Sequence, residues 1–158
     1  MPSREPAEAH APGVAVATMV REASSVRGAA QKTIRWEQLS ARLEERVEIL
    51  FAIAYGSAIV GGPFRDVDVA VFVDRELVPA EKDLDYEVAL TNALKEPVPC
   101  PLDVRVVNDA PLPFRYSVSR GRPLAARNRR ALVEFLERAW DEYLDFEPVA
   151  RRYLLELA

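Results

Sequence analysis

The chain has 158 residues, 49% of them hydrophobic and 29% charged, with a formal net charge of −4 at pH 7. Those values fit one soluble domain with a real core and exclude both a disordered chain and a general nucleic-acid binder, whose footprint is basic. A single cysteine, Cys100, and a single histidine, His10, exclude an internal disulfide and a Cys/His zinc cluster, which fits a reducing cytoplasm.

Residues 1 to about 32 are rich in Ala, Ser, Pro, Glu and Arg and contain no aromatic side chain. They read as a flexible N-terminal extension, 1–32, with room for a short helix around 15–30. The apolar stretch at 13–20 is far below the roughly 20 residues that span a bilayer. Glu5 and Glu8 ahead of it make a poor signal peptide, whose leading segment is basic. No membrane association is expected. Met19 is a second candidate for the start of the chain. Residues 33–158 read as a single domain.

From Thr33 the period is helical: Trp36, Leu39, Leu43 and Val47 recur at spacings of three and four. Ile49–Tyr55 is a continuous apolar run ended by Gly56, the pattern of a buried strand. Gly56 and Ser57 then make a turn with a short helical start, followed by a loop through Gly61, Gly62 and Pro63. "DVDVAVFV", residues 66–73, is the second strand. A helix is expected from about Glu81 to Lys95, with Leu84, Val88 and Thr91 in one stripe and Tyr86, Leu90 and Leu94 in the next. "LDVRVV", residues 102–107, is the third strand. A short helix closed by Gly121 follows, then a short strand near 123–127. Two last helices are expected, over 128–143 and about 147–157, with apolar stripes assigned to the core or, where exposed, to a partner-docking surface. Strands alternating with helices give an α/β (α+β) fold, a mixed sheet flanked by helices with helices at the C-terminus.

Asp66 and Asp68 open a strand that is otherwise core. An unpaired carboxylate costs several kcal/mol to bury, so the pair needs a reason. Two residues apart on a strand, they face one way, with Cα atoms roughly 6.5 to 7 Å apart. Like charges that close repel unless neutralised, and hard oxygen donors suit Mg²⁺. On the third strand Asp103 and Arg105 share one face. If that strand neighbours the second, Asp103 joins the pair, and three carboxylates suit two metals about 3.5 to 4 Å apart, as in phosphoryl transfer. Gly56 permits a close backbone approach, and a strand-to-helix turn with Ser57 suits a phosphate. The D-x-D spacing alone is common and often only a solvated edge. The combination with Gly-Ser and a later Asp is far more specific. No P-loop or dinucleotide-binding glycine motif is present. The D-x-D of nucleotide-sugar glycosyltransferases fits less well, because those enzymes are larger and lack the Gly-Ser turn.

On these residues the sequence resembles the minimal nucleotidyltransferases of the DNA-polymerase-β-like superfamily, whose signature is Gly-Ser, a short gap, Asp-x-Asp and a later Asp. The likeness runs from about residue 34 to the end. The tail "EYLDFEPVARRYLLEL" resembles MntA-type antitoxins, which are paired with a HEPN-domain toxin. The resemblance implies the nucleotidyltransferase fold, ATP as substrate, and Mg²⁺, two ions by the family pattern. It implies AMP transfer to a tyrosine hydroxyl of the toxin. Asp66 and Asp68 would hold the metals, Asp103 would complete the site and help deprotonate the hydroxyl, and Gly56 and Ser57 would seat the triphosphate. Ala58 stands where members often carry Arg, and Arg65 where they often carry Ser. Either one phosphate contact is missing, or Arg65 supplies it.

Six arginines, Arg115, Arg120, Arg122, Arg127, Arg129 and Arg130, fall in a stretch without an acid. They read either as a solvated face or as a contact for ATP phosphates or a protein surface. Without aromatic partners for bases, direct nucleic-acid binding is not expected. Two alternatives stand beside protein adenylylation: a small-molecule nucleotidyltransferase, for which the chain leaves little acceptor room, and an antitoxin acting by binding alone, which would not need three acids.

Overall fold

The computed structural model describes residues 33–156. The expected extension 1–32, with its short helix around 15–30, and Leu157 lie outside the described residues. In chain order the elements are α1 (Trp36–Glu44), β1 (Ile49–Tyr55), α2 (Ser57–Val60), β2 (Val67–Val73), a 3-10 turn (Ala80–Lys82), α3 (Asp83–Leu94), β3 (Leu102–Val106), α4 (Leu112–Ser119), β4 (Arg122–Ala126) and α5 (Arg129–Glu156). The strands form one sheet in the order β3-β2-β1-β4. β1 is antiparallel to β2 and β4, and β2 is parallel to β3. A parallel pair needs a crossover, and α3 provides it. The mixed α+β architecture is the expected one.

Two cores sit on opposite faces of the sheet. Val67, Val69, Val71 and Val73 pack with Leu39 and Leu43 of α1 and Leu90 and Leu94 of α3. On the other face Phe51, Ile53 and Ala70 pack with Val118 of α4 and Phe135 of α5. Phe51 stacks on Phe72 with ring centroids 4.9 Å apart and tilts against Phe135 at 5.3 Å.

Several expectations change. α1 ends at Glu44, so Val47 lies beyond it and is exposed rather than continuing the stripe. β2 begins at Val67, one residue later than expected, leaving Asp66 on the preceding loop. In α3 only the second stripe faces the core, with Tyr86 half-buried, while Leu84 and Val88 are exposed. Gly121 does follow α4, but not as a left-handed cap, since positive φ angles occur only at Gly56, Gly61 and Gly62 among the described glycines. Glycine is required at 121 because a Cβ there would meet the Ala54 carbonyl oxygen at 2.2 Å. The missing side chain lets the chain pass directly over β1.

The two expected C-terminal helices are one helix with Pro148 inside it. Asn128 starts it, its Oδ1 accepting from the Ala131 N–H at 3.0 Å. Proline forfeits its own backbone donor and crowds the carbonyl four residues back, but the residues after it, Ala150 to Glu156, are mostly good helix formers and carry the helix on. Only the inner half is core: Phe135 and Ala139 are buried, whereas Phe146, Val149 and Tyr153 are exposed. The arginine stretch is largely bracing. Arg115 donates to the Ala110 carbonyl and pairs with Glu142 at 2.6 Å, tying α4 to α5. Arg127 donates to the Glu44 carbonyl, Arg130 pairs with Glu134, and Arg122 lies over the Trp36 ring. Among the described residues no helix is long and apolar enough to cross a membrane.

Candidate active site

The site forms where three strands end together. In β1 and β2 Tyr55 pairs with Asp68, and in β2 and β3 Asp68 pairs with Asp103. Paired residues on adjacent strands project to the same face. Tyr55, Asp68 and Asp103 therefore form a row across the sheet, on the face opposite the four buried valines. Asp103 lies beside Asp68, as the alternation along each strand predicts.

The chain then turns at Gly56, with φ 78° and ψ −158°, a conformation open essentially to glycine alone. A Cβ on Gly56 would lie 2.6 Å from Asp68 Oδ2. The Gly-Ser bend and the second carboxylate of the D-x-D thus touch. Ser57, exposed, opens α2, whose first turn closes on the Gly56 carbonyl through the Ile59 and Val60 N–H groups. Asp66 and Arg65 are exposed on the loop ahead of β2.

Charge couples the acids. The Asp68 carboxyl is pushed above its ordinary range by burial first, then by Asp66 and Asp103, with Arg105 opposing. Asp66 also adds to burial in raising the Cys100 thiol. The Tyr55 hydroxyl is pushed up by burial and by Asp68 and Asp103, so it stays protonated at neutral pH and is a donor facing a row of acceptors. Tyr55 was not singled out by sequence reasoning. Its signal was its place as the last residue of the apolar run, with the parity of Phe51 and Ile53.

Asp103 has a partner in place: Arg105 Nε donates to its Oδ2 at 3.1 Å, and Arg105 also faces Glu87 at 3.9 Å. Among the described residues no three acidic, cysteine or histidine side chains stand gathered as a ready metal cage. The donor chemistry nevertheless fits a hard divalent cation: mutually repelling carboxylates, one of them disfavoured as an anion, at the mouth of a glycine bend.

The model of the polymerase β nucleotidyltransferase family matches residues 37–130, a span that holds β1 to β4 and every site residue above. The chain belongs to this family. Solved structures with the same fold include the antitoxin in a complex of tri-AMPylated Shewanella oneidensis HEPN toxin with MNT antitoxin. The match has a TM-score of 0.57 and 14% identity, covering 77% of this chain and 95% of that one. A toxin–antitoxin structure with AMP-PNP gives a TM-score of 0.58 at 16% identity, covering 77% and 97%. An MntA toxin–antitoxin mutant gives 0.61 at 15%, covering 79% and 98%. At such identities the likeness is one of fold. No curated protein matches the chain.

Proposed function

We propose that this nucleotidyltransferase transfers AMP from ATP to a hydroxyl, that of a tyrosine, on a HEPN-type toxin, and that it silences the toxin by doing so. The observation that carries the reading is the juxtaposition of Gly56, Asp68 and Asp103 at one end of the sheet in a chain of this family. The solved structures of like fold, one with an AMPylated HEPN toxin and one with AMP-PNP, support ATP as donor and such a toxin as acceptor. A cytoplasmic setting fits the lone half-buried thiol of Cys100.

Asp66 and Asp68 would hold Mg²⁺, two ions with Asp103 completing the set. A metal bound there would supply charge to neutralise the triphosphate and polarise the α-phosphoryl group. The Gly56 bend admits the triphosphate close to the backbone, with the Ser57 hydroxyl as donor. Arg65, exposed ahead of Asp66, adds a phosphate contact from the open side. Asp103 takes the proton of the attacking hydroxyl. The hydroxyl oxygen bonds to the α-phosphorus as the bond to the bridging oxygen breaks, and pyrophosphate leaves. Catalysis is positioning and electrostatics.

The test is incubation of the purified chain with α-labelled ATP, Mg²⁺ and a purified HEPN-type toxin. Label on the toxin, pyrophosphate release, and loss of both in Asp66→Asn with an unchanged melting curve are expected. Undiminished labelling by that variant rejects the catalytic assignment. Full neutralisation by it at equal dose would instead favour inhibition by binding alone.

A further inference from the structure

We infer that Arg105 is the positioning residue of Asp103: held by Glu87 of α3, it fixes the carboxylate that takes the proton of the attacking hydroxyl. This rests on the reading of the site as a nucleotidyltransferase in which Asp103 accepts that proton.

The need for such a residue is visible in the sheet. β3 is an end strand, so Asp103 has a row neighbour on one side only, Asp68 of β2. That neighbour is a carboxylate and the two repel, Asp103 being among the charges that push the Asp68 carboxyl up. The Asp103 side chain is 50% exposed. A half-exposed carboxylate beside a like charge turns toward water unless something holds it.

Arg105 is placed to hold it. Two residues further along β3, it projects to the same face. Its own row across the sheet, Ile53 and Ala70, offers no polar side chain. The guanidinium is met instead by two acids. Nε donates to Asp103 Oδ2 at 3.1 Å, and Nη1 stands 3.9 Å from Glu87 Oε2. Glu87 is itself fixed: its Oε1 accepts from the Val106 N–H at 2.8 Å, and its side chain is only 15% exposed. The anchor runs from the backbone of β3 through Glu87 to Arg105 and back to Asp103. Asp103 Oδ1 has no hydrogen-bond partner among the described residues and is the oxygen left for a substrate hydroxyl. Stability does not account for the arrangement, since an ion pair between half-exposed groups contributes about 0 to 1 kcal/mol. Rate does, since misplacing a reacting group by about 1 Å costs about a hundredfold.

The experiment uses the full chain and purified HEPN-type toxin. Arg105→Ala should lower kcat about tenfold to a hundredfold, with KM for ATP and for toxin and the affinity for AMP-PNP unchanged. The melting temperature should stay within about two degrees. Added guanidinium, below denaturing concentration, should restore part of the lost kcat and leave the wild type unaffected. Glu87→Gln keeps an acceptor for the Val106 N–H; it should cost about threefold in kcat alone and nothing further in the Arg105→Ala background. In the metal-free protein the Arg105 Nε–H should give a nuclear magnetic resonance signal slow to exchange with water, lost in Asp103→Ala. Reduced AMP-PNP affinity (a phosphate contact), a raised KM for toxin at unchanged kcat (an acceptor contact), an unchanged kcat, or a kcat loss that guanidinium does not relieve overturns the inference. If the wild type transfers no AMP, the reading of the site fails and the inference with it, even where the Nε–H signal shows the hold. If it transfers AMP and that signal does not depend on Asp103, only the inference fails.

Discussion

The two sides of β2 are built from alternate residues of one strand and do opposite things. Val67, Val69, Val71 and Val73 are at most 1% exposed, covered along their whole length by α1 and α3. The other side reads Asp68, Ala70, Phe72, and its cover is partial. α4 and α5 bring Phe114 and Phe135 over Tyr55, Phe51 and Phe72 and stop short of Asp68. Asp68 and Asp103 are only half-buried and Asp66 is exposed, so burial strains the Asp68 carboxylate without cutting it off from water. One strand thus carries the core on one face and, on the proposed reading, the reacting groups on the other.

The largest effect that tests this division is Asp68→Asn. AMP transfer should fall by at least about a hundredfold, the scale of removing one group aimed at developing charge. Stability should move the other way. The Asp68 pKa is raised in the folded chain, so folding holds its proton more tightly than the unfolded chain does. Stability without metal then falls as pH rises from the ordinary carboxylate range, near about 4, through the raised value. The Asn variant lacks that loss, and chelator-containing denaturant curves should show it gaining on the wild type across that window and then staying level. A variant less stable than wild type at neutral pH would break the comparison.

Val71→Ala, on the other side of the same strand, should cost about 2 kcal/mol in urea unfolding and leave kcat per folded molecule unchanged. A selective loss of kcat would mean that the two faces are coupled through the strand. Gly56→Ala is comparable in stability and sharper in function. Its strain in a backbone region open essentially to glycine is worth about 1 to 3 kcal/mol, and the new methyl group meets Asp68 Oδ2 at 2.6 Å. Asp68 has to move, so transfer should fall far more than the melting temperature.

Much of this platform is written locally. A continuous apolar run ended by glycine gave β1, and alternating stretches rich in β-branched residues gave β2 and β3 to within a residue. Alternation put Asp68 with Asp103 once the strands were taken as neighbours. What escaped depends on partners distant in the chain. Tyr55 joins the row only through its register with Asp68. The two stripes of α3 look alike in sequence, and only the position of the helix at the sheet edge decides that Leu90 is buried and Leu84 is not. The arginines from Arg115 to Arg130 carry no local mark of partners such as Glu142 or the Glu44 carbonyl. Proline in "DFEPV" is a sound reason to expect a break, because local chemistry at Pro148 does oppose a helix. The residues that follow it favour a helix, but nothing local says that this helix and the one before Pro148 are the same.

That proline supports the smallest prediction. In a helix interior it costs about 3 kcal/mol relative to alanine, and placed in the inner half of α5 it would threaten Phe135 and with it the second core. At 148 it lies where Phe146, Val149 and Tyr153 are exposed, so local opening there exposes little further apolar surface and is not tied to global unfolding. Pro148→Ala should therefore leave the global melting temperature within about a degree, while amide exchange for residues 149–156 slows severalfold. A rise in melting temperature of several degrees would show that the outer half of α5 folds with the domain, and the division between a covered and an uncovered stretch would then have to be drawn further along the helix.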